Sequence, residues 1–178
     1  MEPRPSRNGG SALSGLYRLA SVIRVTLRLL ICAVGRARKK TALALYQDYA
    51  RLVRWPLDLV EVEVRRQLPD YQRRTAEGAM LLEKIPDGAV VVALDEKGKA
   101  LSSQEFAKRI GGWRDDGCAH IVFLIGGADG LDDVVRSRAD LTLSLGRLTW
   151  PHLMVRGMLA EQIYRAQQIL AGHPYHRN

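Results

Sequence analysis

The sequence predicts an α/β domain built on a mostly parallel sheet flanked by helices. Two observations predict it. From residue 28 onward, short apolar runs alternate with amphipathic segments to the end of the chain. Two of those runs, residues 89–94 and 121–125, are apolar without interruption, as strands covered on both faces must be.

The first strand is read at residues 29–34, followed by Gly35 and a basic turn. Residues 41–53 follow as a helix with Leu45, Tyr49 and Leu52 on one face, stopped by Trp55 and Pro56. Residues 57–64 include Val60, Glu61, Val62, Glu63 and Val64, an alternation that predicts a strand with one wet face. A second helix is expected over 69–84, and the third strand over 89–94. Ser102 and Glu105 have capping-box spacing, and Phe106, Ile110 and Trp113 then form a helical stripe. The fourth strand is 121–125. A fifth is marked by Leu141, Leu143 and Leu145 alternating with Thr142 and Ser144. The last helix runs from about His152 to Ala171, striped by Val155, Leu159, Ile163, Ala166 and Leu170. Glu161 and Arg165 form an i,i+4 pair in the favourable order.

Composition excludes several classes. With 47% hydrophobic and 26% charged residues, the chain is neither disordered nor fibrous. The net charge is +8, but nine of the 27 basic residues and one of the 19 acids lie within residues 1–40, so the remaining 18 of each cancel. A histone-like binder is thereby disfavoured. Cys32 and Cys118 have no CxxC partner, which fits a reducing, cytoplasmic setting and argues against a thiolate metal site. Residues 1–15 are rich in Pro, Gly, Ser and Arg, and residues 1–26 read as a disordered extension or an over-extended start before one domain at 27–178. Arg18, Arg24 and Arg28 interrupt the apolar stretch 16–34, so no membrane span is expected; an organellar transit peptide is the other reading of this segment.

Open parallel sheets bind ligands beyond the carboxyl ends of their strands. Three loops qualify here, after Leu94, Ile125 and Leu145. The second is Gly126-Gly127-Ala128-Asp129-Gly130-Leu131, whose glycines allow close backbone approach to a ligand, or equally a tight turn. It is not a dinucleotide fingerprint. The third runs Leu145-Gly146-Arg147-Leu148-Thr149-Trp150-Pro151-His152. Trp150 there is ordinarily core packing, and Arg156 faces either solvent, the usual case, or a phosphate. The tail His173-Pro174-Tyr175-His176-Arg177-Asn178 crowds groups able to donate, accept, stack and bind phosphate. A metal held by His173 and His176 is weakly supported, because Pro174 breaks helical spacing and no third ligand is evident. The pairs Arg65/Arg66 and Arg73/Arg74, with Tyr71 between them, read either as a phosphate-contacting patch or as a solvated helix face.

Taken in order and spacing, the glycine loop, Thr149-Trp150-Pro151-His152 with Arg156, Glu161-Gln162-Ile163-Tyr164-Arg165-Ala166 and the terminal His-Pro-Tyr-His-Arg resemble the bacterial large-subunit rRNA methyltransferase H family of the SPOUT, or α/β-knot, class. The resemblance runs from about Leu27 to Asn178. It implies a homodimer with a C-terminal trefoil knot that binds S-adenosylmethionine and methylates N3 of pseudouridine 1915 in helix 69 of 23S rRNA, in the assembled ribosome. It places cofactor contacts on Leu94, Gly126, Leu145, Gly146, Arg147, Leu148, Thr149 and Trp150. Tyr175 and His176 are then expected to handle the proton, and Arg177 and Arg156 to contact phosphate or stabilise an anion. No metal and no membrane are implied. A SPOUT-like enzyme acting on another RNA such as tRNA, and a non-catalytic ribosome-binding module, are the alternatives. The family often carries a Lys-rich segment between strands two and three, where this chain has Arg pairs interleaved with acids. Residues 27–178 keep a charge of +5 in Arg28, Arg36, Arg38, Lys39 and Lys40, four of them in the loop after the first strand, where charge-guided RNA contact is expected.

Overall fold

A computed structural model of the protein describes residues 26–37 and 40–174. Five strands, β1 (Arg28–Val34), β2 (Leu57–Val62), β3 (Val90–Ala100), β4 (His120–Ile125) and β5 (Leu141–Ser144), form one sheet in the order β2-β1-β4-β3-β5. All four pairings are parallel. Helices α1 (Lys40–Ala50), α2 (Asp70–Leu82), α3 (Ser103–Asp115), α4 (Asp133–Arg138) and α5 (His152–Leu170) connect the strands and close the chain.

Because side chains alternate across a strand, each continuous apolar run feeds two cores. Ile121, Phe123 and Ile125 join Leu29 and Ile31 beneath α1, α3 and α5, where Tyr46, Phe106, Ile110, Leu159 and Ile163 are buried. Val122 and Leu124 join Cys32, Val34 and Val91 on the other face, against Leu81 of α2 and Val135 of α4. Burying each large side chain contributes about 1.5–3 kcal/mol, which is why the sheet stays covered on both sides. Burial also pushes the Cys32 thiol up to about 11, so it is an inert packing group.

The structure departs from the sequence expectation at β3 and β2 and adds a short helix that was not expected, each for a physical reason. β3 does not stop at Leu94: residues 95–98 bulge out, and the chain returns to pair Lys99 and Ala100 with Leu143 and Ser144. Gly98 permits the return, since a Cβ there would stand 2.7 Å from the backbone of β5. α4 has only six residues, too few to show a helical period, and Asp132 caps it by accepting from the Val134 N–H at 3.0 Å. β2 ends at Val62, and its polar face is not wet. Leu57 and Leu59 on that face pack against the first core, and Glu61 meets a buried arginine of α5.

The expected capping box of α3 is present, with Ser102 Oγ accepting from the Glu105 N–H and the Glu105 carboxylate accepting from the Ser102 N–H. α5 starts after Pro151 and buries Leu159, Ile163 and Ala166. It crosses α1 at Gly157, where a Cβ would lie 2.6 Å from Leu45 Cγ. Gly157→Ala is therefore expected to cost about 1–3 kcal/mol through overpacking. Urea denaturation should register this as a lower midpoint with an unchanged slope.

Candidate active site at the carboxyl ends of three strands

Since β4 lies between β1 and β3, and β5 outside β3, the loops after β3, β4 and β5 emerge side by side at one edge. They enclose a cavity of about 790 Å³. Leu94, Gly126, Leu145, Gly146, Leu148, Thr149 and Trp150 all line it, together with His152 and Val155 from α5. Arg147 is exposed and is not among the lining residues. Trp150 is 38% exposed, so it is not the core residue that sequence statistics favour. A second cavity of about 540 Å³, between α1, α3 and α5, shares Leu143, Ser144, Leu145 and Gly146 with the first.

The loop after β4 folds back tightly, with the Gly130 N–H donating to the Gly127 carbonyl at 3.1 Å. Gly130 has φ +76°, and a Cβ on Gly126 would stand 2.6 Å from the Gly130 carbonyl carbon. These two glycines thus serve the turn, and the turn forms one wall of the cavity. After β5, Ser144 Oγ accepts from the Gly146 N–H at 3.2 Å and donates to the Gly146 carbonyl at 2.9 Å. Among the described residues, the backbone N–H groups of residues 147–150 make no backbone hydrogen bond. They leave donors beside the apolar side chains of Leu94, Leu145 and Val155. That mixture fits a ligand with a flat apolar ring and polar edges, as an adenosyl group has.

Side chains of α2 and α4 hold these loops in place, among them Arg73 of the Arg73/Arg74 pair picked out from the sequence. Arg136 of α4 donates to the Leu131 carbonyl at 2.6 Å and pairs with Asp95 at 3.2 Å and with Asp133, tying the loop after β3 to the loop after β4. Arg73 of α2 pairs with Asp129 at 2.5 Å and with Asp70 at 2.8 Å. Thr75 Oγ1 donates to Asp132 at 3.0 Å. The carboxyl of Glu77 is buried beneath the same loop, its Oε2 3.2 Å from where a Cβ on Gly127 would stand. The pairs Arg73–Asp129, Thr75–Asp132 and Arg136–Asp95 span 41 to 57 residues of sequence, so local spacing held no sign of them.

Arg156 corrects an expectation. It faces neither solvent nor an open phosphate site, being 1% exposed. Its guanidinium donates to Glu61 at 2.5 Å and to the carbonyls of Val34 and Gly35 at 2.7 and 2.6 Å. Glu61 also accepts from the Ala37 N–H at 2.9 Å, so one carboxylate joins β2, the loop after β1 and α5. His152 packs against Gly35, and burial, reinforced by the Arg156 charge, pulls its pKa down. The Glu161–Arg165 pair forms as expected, at 2.5 Å. Arg36 of the basic loop pairs with Glu63 at 3.7 Å. Arg38, Lys39, Tyr175, His176 and Arg177 lie outside the described residues.

Two predictions arise from this wiring. Glu61→Ala strands a buried guanidinium and is expected to cost about 3–5 kcal/mol, whereas Arg156→Met costs less because the charge leaves together with its desolvation penalty. Chemical denaturation of the two variants checks that order. Burial holds the Glu77 carboxyl above its usual value of 4.5, with Arg73 pulling it down and Asp129 adding to the rise. A raised folded pKa contributes stability below the unfolded value and loses it as pH rises through the folded value. Glu77→Gln should therefore match the wild-type Tm in acid and exceed it at neutral pH; a constant difference across pH would contradict this.

Comparison with known proteins gives the family. Residues 27–176 match the family model described as "Predicted SPOUT methyltransferase". The chain is 56% identical over 151 residues to a ribosomal RNA large subunit methyltransferase H of Rhodospirillum centenum, covering 85% of this chain and 99% of that protein. A protein of the same name from Paracoccus denitrificans is 50% identical over 159 residues, with the same coverage. The fold is also that of a probable methylase family protein from Haemophilus influenzae Rd KW20, with a TM-score of 0.52 at 11% identity over 86% of this chain and 72% of that one. A match over nearly all of residues 27–178, and relatives aligned along almost their whole length, mean that the chain belongs to the SPOUT methyltransferase family.

Proposed function

We propose that this enzyme methylates ribosomal RNA with S-adenosylmethionine, at N3 of pseudouridine 1915 in helix 69 of 23S rRNA in the assembled ribosome. One observation carries the proposal: the loops after β3, β4 and β5, chosen from sequence as strand carboxyl ends, meet around one cavity. The names of the relatives supply the substrate class. In this reading the protein is a cytoplasmic homodimer with a C-terminal trefoil knot, and a tail from one subunit completes the site near the interface.

Leu94, Gly126, Leu145, Gly146, Leu148, Thr149 and Trp150 would hold S-adenosylmethionine, with Arg147 outside the cavity wall. That molecule, when bound, supplies an electrophilic methyl group on a sulfonium. The chain's own part is mostly positioning, because a methyl transfer needs the attacking nitrogen in line and close. N3 of pseudouridine is a weak acid, so a base must take its proton or a cation must stabilise the anion. Tyr175 and His176 are assigned the proton and base contact, and Arg177 the phosphate or anion contact. Arg156 is released from that role and becomes a positioning residue through Glu61.

Deleting residues 173–178 is expected to abolish transfer to ribosomes while leaving S-adenosylmethionine affinity, read by calorimetry, within about twofold. Mass spectrometry of rRNA from a strain lacking the enzyme should show loss of one methyl group at the helix 69 pseudouridine. A retained methyl group there, or one lost from tRNA instead, would replace this substrate with another.

A further inference from the structure

Of the four charged arginine and lysine side chains nearest the cavity on α2, α4 and the β3 bulge, two are already engaged. Arg73 is held by Asp70 and Asp129, and Arg136 by Asp95, Asp133 and the Leu131 carbonyl. The other two, Arg74 of α2 and Lys97 of the bulge, line the cavity, and among the described residues neither has an ion-pair partner. The Arg74 Nε is buried with no hydrogen-bond acceptor. A buried donor left unmade costs free energy, which an incoming acceptor recovers. Both cations act on the same acid: the Asp133 carboxyl is held low first by its bond to Arg136 and then, at longer range, by Arg74 and Lys97. The acids facing them are thus Asp95, Asp129 and Asp133, each tied to Arg136 or Arg73, and Glu96 of the bulge.

Tyr71 stands one helical turn before Arg74, on the same face of α2, and is 70% exposed. A large aromatic in water one turn from Arg74, which shares the cavity lining with Lys97, has the makings of a nucleotide contact, in which the ring stacks on a base and the cations meet phosphate. A single carboxylate, such as the one on the methionine part of S-adenosylmethionine, would need one cation and no exposed ring.

We propose that Arg74 and Lys97 form the phosphate-binding rim of the cavity for the RNA substrate, with Tyr71 stacking on a base beside the target. This rests on the reading of the protein as an rRNA methyltransferase and names the surface that reading lacks. It also divides the Arg73/Arg74 pair: Arg73 builds the site, and Arg74 serves the substrate.

The test uses the full-length protein and measures its affinity for ribosomes across a salt series, with S-adenosylmethionine affinity measured separately by calorimetry. Arg74→Gln and Lys97→Gln should each weaken ribosome binding, together about tenfold, and lower the salt slope by about 0.7–0.9 per cation removed. Cofactor affinity should stay within twofold. Arg74→Lys should keep the slope, and Tyr71→Ala should weaken binding without changing it, since stacking releases no counterions. Unchanged affinity and slope in the two glutamine variants would overturn the inference alone. Loss of cofactor affinity in Arg74→Gln would overturn it too, by assigning the guanidinium to the carboxylate of S-adenosylmethionine. A wild-type protein that binds neither ribosomes nor naked RNA would overturn the underlying reading and this inference with it.

Discussion

Arg156 enters the interior from the first turns of α5 and finds three oxygens there: Glu61, and the carbonyls of Val34 and Gly35 at the end of β1. A guanidinium loses most of its hydration on such a path, and only charge-assisted hydrogen bonds of good geometry offset that loss. All three acceptors belong to the carboxyl ends of β1 and β2. The start of α5 is therefore pinned beside them, and the chain from β5 has to cross the sheet edge to reach it. That crossing segment is the loop of residues 145–150, which lies over the ends of β3 and β4 as one wall of the cavity. The contact of His152 with Gly35 and the crossing of α1 at Gly157 place the same turns by packing, and the arginine adds the charged tie.

The opposite wall is held differently. There α2 and α4 brace the glycine turn after β4 through side chains. Arg73 reaches Asp129, Thr75 reaches Asp132, and Arg136 joins Asp95 to the Leu131 carbonyl. Each braced loop is half-exposed, where single ion pairs contribute little to stability. Their effect lies in geometry: a site that works by alignment needs its loops in one arrangement before the reactants arrive.

Charge follows the same division. The excess of basic residues sits at the beginning of the sequence, yet the described part of the β1–α1 loop spends Arg36 on Glu63. Two cations with no ion-pair partner among the described residues, Arg74 of α2 and Lys97 of the β3 bulge, line the cavity instead. Net charge is thus a poor guide to where a nucleic acid would be met, because it counts paired and unpaired cations alike.

What the sequence determined by itself was the content that local physics controls. Apolar runs that leave no polar face announced covered parallel strands, the 3.6-residue stripe placed α5, and Ser102 with Glu105 marked the start of α3. The three ligand-facing loops were legible for the same reason, since strand ends in such a sheet can be located from the strands alone. Family resemblance then singled out residues within them. Only the tertiary structure decided which charges are spent. Glu61 sits in an alternating pattern that a wet strand face would share, and Arg156 on a helix that could have turned it to solvent; their pairing spans 95 residues. It exists because the sheet brings β2 under α5, and a buried charge takes the partner that the fold supplies.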